Sequence, residues 1–413
     1  MSLFFVSRWV NPPPTISLAD ASVLPAGFVA GAASAAVKAA GRLDVGVLHC
    51  LAPEVVSAAR FCDSGAPAAP VLLCQTECDL SRIRAVVANS GNANAATGEA
   101  GIAQARVMQN GAAKALGLEP SEVAVASTGV IGVQLPGERI AQSLVGLAPT
   151  LDPAKAGDFA AAIRTTDAIE KHVSLKVALP SGTVALSAQA KGAGMISPHF
   201  ATLLCFVETD AKLSPALADR LLAAAVKRSF DLVSVDGQLS TNDTVLLLGS
   251  GASAVEVADG SDDEAAFAAA LDALLLQLAL LMVKDGEGAL RIARVEVRGQ
   301  DTNDTETAAR SIANSPLVKA ALFGGDPNWG RIAQAIGGAL RGRPPVAFDI
   351  AIEGVPVCAG GAALDVDLAR LERAVSRDEV EYSVALGGTG AVSHVYFSDL
   401  SYDYVKINAE YTT

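Results

Sequence analysis

Residues 190–210 read AKGAGMISPHFATLLCFVETD, and the rest of the chain turns on how that stretch is read. A run of glycine, alanine and other small residues leads to Pro198, and Ala201-Thr202 then opens the apolar run Leu203–Val207. Upstream, residues 173–189 alternate apolar and polar and turn at Pro180-Ser181-Gly182, a hairpin signature, so the small-residue run hangs on the end of a sheet. Two readings compete. One is a loop entering a strand whose first residue is β-branched. The other is a peptide bond before Thr202 that is meant to break. A threonine hydroxyl is a poor nucleophile without a base. An N-terminal threonine carries its own base, an α-amine with an ordinary pKa of about 7.7–8. Gly192, Gly194 and Ala201 are small enough to let the hydroxyl reach the preceding carbonyl.

Outward from this stretch the chain reads as a mixed α/β protein. Helical periodicity predicts helices over about 101–116 (closed by Gly117), 154–164, 214–228, 264–283 and 329–340. Short β-branched runs at 84–91, 123–127, 232–237, 244–249 and 294–299 lie between them. After about residue 290 the texture changes. Residues 346–357, 380–388 and 393–411 belong to a smaller C-terminal α/β domain.

Composition narrows the function classes. The 413 residues are 51% hydrophobic and 18% charged, which suits a large packed core. A net charge of −13, with no basic block, argues against nucleic acid and anionic membranes as partners. The six cysteines are dispersed, so neither a zinc site nor a disulfide framework is expected. The amino terminus lacks the parts of a signal peptide. Residues 265–283 approach membrane-span length but contain Asp272 and Gln277 and follow Ser261-Asp262-Asp263, which reads as a capped, buried helix. A soluble, cytoplasmic enzyme is the expectation.

An acyl-transfer nucleophile needs donors for a tetrahedral oxyanion. The strand-turn VAVASTGVIG (123–132) offers the Thr128 hydroxyl and the Gly129 N–H, or else an ordinary turn. Asp236 and Asp243 are read as turn or cap residues rather than metal ligands. The loop GGDPNWGR lacks the lysine of a phosphate-binding loop.

Taken together, KGAGMISP..AT (191–202), STGVIG (127–132), NSGNANAATG (89–98), SVDGQLSTNDT (234–244), VKDGEGA (283–289), GGDPNWGRI (324–332) and YDYVKINAEYTT (402–413) resemble the ornithine acetyltransferase family. These are bifunctional glutamate N-acetyltransferases of arginine biosynthesis. The resemblance implies layered sheets covered by helices in a self-processing catalytic domain. It implies self-cleavage at Ala201-Thr202 into fragments 1–201 and 202–413, with 202–290 completing the catalytic domain and 291–413 forming the smaller one. Thr202 would be the nucleophile, taking acetyl from N2-acetyl-ornithine and passing it to glutamate. Thr128 and Gly129 would form the oxyanion hole. Thr165, Lys191, Thr202, Glu287, Asn408 and Thr413 would contact substrate. No metal or cofactor is implied. The fragments are expected as a heterotetramer of two copies of each, and some members of the family also accept acetyl-CoA.

The chain departs from the family pattern at His199-Phe200, where Asn-Met is usual, at Ala96, where cysteine is usual, and over 59–71. Two rival readings remain. A related self-cleaving aminopeptidase or amidohydrolase would use water as acceptor, and a non-catalytic homologue would bind acetylated amino acids without turnover.

Overall fold

The structure, a computed structural model, describes residues 4–39, 41–197 and 203–410. Ala201, Thr202, His199, Phe200 and Thr413 lie outside the described residues.

Why the chain layers as it does follows from strand burial. Leu204–Thr209 and Thr244–Gly249 are buried at every residue and pair in parallel, with Leu204 opposite Thr244. A strand buried on both faces reads as a continuous apolar run rather than as an alternation. Leu204, Phe206, Leu246 and Leu248 face a second sheet. Cys205, Val207, Val245 and Leu247 face the helices Pro215–Lys227 and Asp262–Lys284. The first sheet has six strands, with Gly182–Lys191 and Leu204–Thr209 near its middle. The second has four: Phe28–Ala33, Val45–Cys50, Ala85–Asn92 and Val123–Val130. Helices Ala69–Glu77, Gly98–Leu116 and Gly137–Leu147 cover its outer face. The result is a helix–sheet–sheet–helix stack. Phe159 and Phe206 meet edge to face at 5.4 Å between the two sheets.

Local signals in the sequence have their counterparts here. Gly117 closes its helix in the left-handed conformation at φ 69°. Ser214 and Ser261 accept hydrogen bonds from Leu217 N–H and Glu264 N–H, capping the two long helices. The helix Asp262–Lys284 is long and apolar enough to cross a membrane by length and composition, yet 72% of its apolar window is buried inside the fold. It forms the outer layer of the first sheet, as the capped and interrupted pattern predicts.

A seven-stranded sheet forms a third body of structure. Ile292–Gly299 lies between Glu379–Ala385 and Ala391–Ser398, and Val233–Ser234 joins at one edge. That two-residue strand is shorter than the predicted strand over 232–237. The Asp236 carboxylate accepts the Met195 and Ile196 N–H groups at 2.6 and 3.0 Å, which turns the chain away from the ladder. Tyr402–Glu410 closes the described chain as a helix.

Candidate active site

Strand ends and loops from both halves of the stack converge on one cavity of about 150 Å3. Its lining includes Thr128, Gly129, Thr165, Lys191, Glu287 and Asn408. These are all the described members of the site expected from the sequence, and the fold brings them together.

Lys191 ends the strand Gly182–Lys191 and turns its ammonium inward, with only 4% of the side chain exposed. Nζ donates to Thr165 Oγ1 at 2.9 Å and to Thr128 Oγ1 at 3.3 Å, and lies 3.9 Å from Asp167 Oδ2. Thr165 rather than its neighbour Thr166 is the hydroxyl that meets the lysine. A hydroxyl that accepts from a cation keeps its own proton free to donate, so Thr128 O–H is polarised toward whatever enters the cavity. Burial lowers the Lys191 pKa below its ordinary 10.5, and the Asp167 carboxylate acts in the opposite sense.

Thr128 and Gly129 sit near the end of the strand Val123–Val130, beside a register shift at Gly91/Asn92 in the neighbouring strand. Gly129 has φ +133°, and a Cβ there would come within 2.4 Å of the Gly91 carbonyl carbon and 2.5 Å of Asn92 N. Both obstacles are backbone. Gly129→Ala is therefore expected to destabilise the fold by roughly 1–3 kcal/mol from backbone strain alone, and more from the clash. A fall in melting temperature together with lost activity checks this; an unperturbed, active variant would contradict it.

The cavity lining also carries an acidic residue, Glu287. Glu287 follows the helix Asp262–Lys284, and its N–H donates to Ala193 O at 2.8 Å. The carboxylate packs on Gly194, where an added Cβ would lie 2.7 Å from Cδ and would displace it. Asn408 Nδ2 donates to Glu287 Oε2 at 2.7 Å, and Tyr404 OH reaches Asp236 Oδ2 at 3.4 Å. The terminal helix is thus tied into the cavity by Tyr404 and Asn408. Tyr402 is 83% exposed, although its ring meets Phe323 edge to face at 5.5 Å. Burial, and then the Glu287 charge, push the Asp236 carboxyl above its ordinary range.

Several site residues were not singled out in the sequence. Asp167 Oδ1 accepts from Gly192 N–H at 2.7 Å and from Lys171 Nζ at 2.8 Å. Lys171 Nζ also donates to Asp285 Oδ2 at 2.5 Å. Although burial opposes it, the Lys191 and Lys171 charges hold the Asp167 carboxyl well below the usual carboxylate range. The RTTD string hints at Asp167, but no local pattern reveals a partner 114 residues away, as Asp285 is from Lys171. Asp243 does serve as a cap: its Oδ1 accepts from Leu203 N–H at 2.8 Å, directly after Thr202 in the chain. Asn242 Nδ2 bridges Ala93 O and Ser127 O, linking the loop to the Thr128 strand. Trp329 and Asp326 do not line the cavity; Trp329 packs on the core of the seven-stranded sheet. Among the described residues, no group of three His, Cys, Asp or Glu could hold a metal ion.

The cavity lining offers an ammonium, a carboxylate, and a hydroxyl next to a glycine whose backbone conformation an L side chain would strain. It suits a small zwitterionic molecule bearing an acyl group.

The ArgJ family model matches residues 29–413. The arginine biosynthesis bifunctional protein ArgJ of Symbiobacterium thermophilum is 41% identical over 400 residues, covering 96% of this chain and 99% of that protein. Its counterpart in Chlorobium chlorochromatii is 43% identical over 410 residues, covering 98% and 95%. Among solved structures, the ornithine acetyltransferase of Mycobacterium tuberculosis in complex with ornithine superposes with a TM-score of 0.42. It is 34% identical and covers 46% of this chain and 100% of that one.

Proposed function

The chain belongs to the ArgJ family and is an acetyltransferase of arginine biosynthesis; from that premise we propose that it moves acetyl from N2-acetyl-ornithine to glutamate through an acetyl-Thr202 intermediate. The observation that carries this reading is the cavity itself, whose lining brings Lys191 and Glu287, groups of opposite charge, to one small-molecule volume. Lys191 pairs with the α-carboxylate that donor and acceptor share. Glu287, with Asn408, takes the side-chain ammonium of the ornithine part.

Thr202 Oγ first attacks the Ala201 carbonyl carbon, the Ala201–Thr202 C–N bond breaks to free the Thr202 α-amine, and water hydrolyses the resulting ester, releasing the Thr202 hydroxyl and an Ala201 carboxylate. The Thr202 Oγ then attacks the acetyl carbonyl carbon while the new α-amine accepts the hydroxyl proton. Thr128 O–H and Gly129 N–H receive the oxyanion. Collapse breaks the acetyl C–N bond, the proton passes to the departing amine, and ornithine leaves. The glutamate amine attacks acetyl-Thr202 by the same steps in reverse. The aminopeptidase reading would place water in that second step, and the paired Lys191 and Glu287 favour an amino-acid acceptor instead.

Cleavage need not separate the fragments. Gly182–Lys191 and Leu204–Thr209 flank the bond and pair antiparallel from Leu186–Thr209 to Lys191–Leu204. That ladder lies inside the first sheet and would hold the two pieces together. Assembly of two copies of each piece into a heterotetramer, use of acetyl-CoA and a cytoplasmic location belong to the same proposal.

Intact-mass spectrometry under denaturing conditions, before and after adding N2-acetyl-ornithine, tests it. Two fragments, 1–201 and 202–413, are expected, with the second gaining one acetyl group. A single unmodified chain would overturn the mechanism. The pH profile supplies a second check. The Lys191 cation is present at low pH and is lost as pH rises through its lowered pKa. The charges facing it are Asp167, Lys171, Glu287, Asp243 and Lys38. The alkaline limb of kcat/KM for acetyl-ornithine should therefore fall below pH 10.5, the ordinary lysine value; a profile flat to that pH would contradict the role.

A further inference from the structure

We propose that Asp167, Lys171 and Asp285 are positioning residues that form a buried strut, fixing the distance between Lys191 and Glu287, two charged groups of the cavity lining, and so selecting the length of the amino acid bound. The inference rests on Lys191 and Glu287 being the substrate-holding groups.

The strut is continuous. Its first junction is Asp167, which holds the Lys191 end through Gly192 N–H at 2.7 Å and lies 3.9 Å from Nζ itself. Lys171 joins Asp167 to Asp285 at 2.8 and 2.5 Å. Asp285 also accepts Ile169 N–H at 3.2 Å, and its own N–H donates to Leu281 O at the end of the long helix. Glu287 follows two residues later. The side chains of Lys171, Asp167, Asp285 and Lys191 are 0, 0, 3 and 4% exposed.

Two ammoniums and two carboxylates balance within this buried set. Removing one member leaves its partners uncompensated in a medium that tolerates no bare charge, so each member holds its neighbours in place. None of the three has its side chain in the cavity lining, which separates them from the substrate-contacting groups. A chain of paired charges is stiff along its length, because each link is a short, charge-assisted hydrogen bond. Stiffness is what a length selection needs. An amino acid one methylene longer or shorter than ornithine reaches only one of the two groups without strain.

The test is calorimetric binding of ornithine, lysine and 2,4-diaminobutyrate to the unsubstituted protein, Lys171→Met and Asp285→Asn. Each variant is first checked by circular dichroism for folding and by mass for the same processing. The unsubstituted protein should prefer ornithine by about 10- to 200-fold over either homologue, the usual worth of one methylene. In both variants that preference should collapse to within roughly threefold, with ornithine losing most. A structural role alone would lower the melting temperature and weaken all three ligands in proportion; a preserved ratio therefore overturns the strut. Where Lys171→Met fails to fold, the ratio in the milder Asp285→Asn decides. If the unsubstituted protein shows no preference for ornithine, the substrate reading itself falls; if it does and the variants keep it, only the strut falls.

Discussion

Thr202→Ala is expected to give one uncut chain of 413 residues that transfers no acetyl, a loss on the order of 10^6-fold in kcat, the scale seen when a catalytic hydroxyl nucleophile is removed. The same hydroxyl is asked to do two jobs, attack on the Ala201 carbonyl and attack on the acetyl carbonyl, so both products vanish together. Thr202→Ser separates chemistry from folding, since it keeps a hydroxyl and should still be cut. Denaturing mass spectrometry reads the cleavage, and ornithine release with labelled acetyl-ornithine reads the transfer. A Thr202→Ala protein that transferred acetyl near the original rate would remove Thr202 from the mechanism.

Thr128→Ala should cost about 100- to 1,000-fold in kcat, the range for loss of one oxyanion donor. The KM for acetyl-ornithine should change little, because a donor aimed at the oxyanion is worth most when charge develops. The fold should survive. Thr128 is buried near a strand end, and its hydroxyl's bond to Lys191 is long at 3.3 Å, while the stronger bond from Lys191 to Thr165 at 2.9 Å remains. Steady-state kinetics of each half-reaction decides. A raised KM with kcat intact would move Thr128 from the oxyanion to ground-state binding.

How far the sequence carried the reading depends on the range of the interaction. The long helices were legible because their signals are local: a serine cap at Ser214 or Ser261, and a glycine stop at Gly117. The two buried strands at Leu204–Thr209 and Thr244–Gly249 were legible as apolar runs. The strand expected over 232–237 shrank to Val233–Ser234, because Asp236 found N–H donors about 40 residues away at Met195 and Ile196. Side-chain capping of a distant loop leaves no periodic trace.

The site divides in the same way. Thr128 and Gly129 were candidates from the strand-turn itself, whereas Thr165, Lys191, Glu287 and Asn408 followed from the resemblance of their motifs to the family. At Gly194 the Glu287 carboxylate packs where a side chain would otherwise stand. By itself the amino-acid sequence determined the family and the helices, and it named the candidates for the cleaved bond and for the polar groups of the site. Only the tertiary structure decided which groups line one cavity, that Lys191 donates to Thr165 and Thr128, and that Asp167, Lys171 and Asp285 join behind them. Local patterns encode the conformation of neighbours in the chain, whereas a buried charge finds its counter-charge wherever the packed sheets and helices bring one.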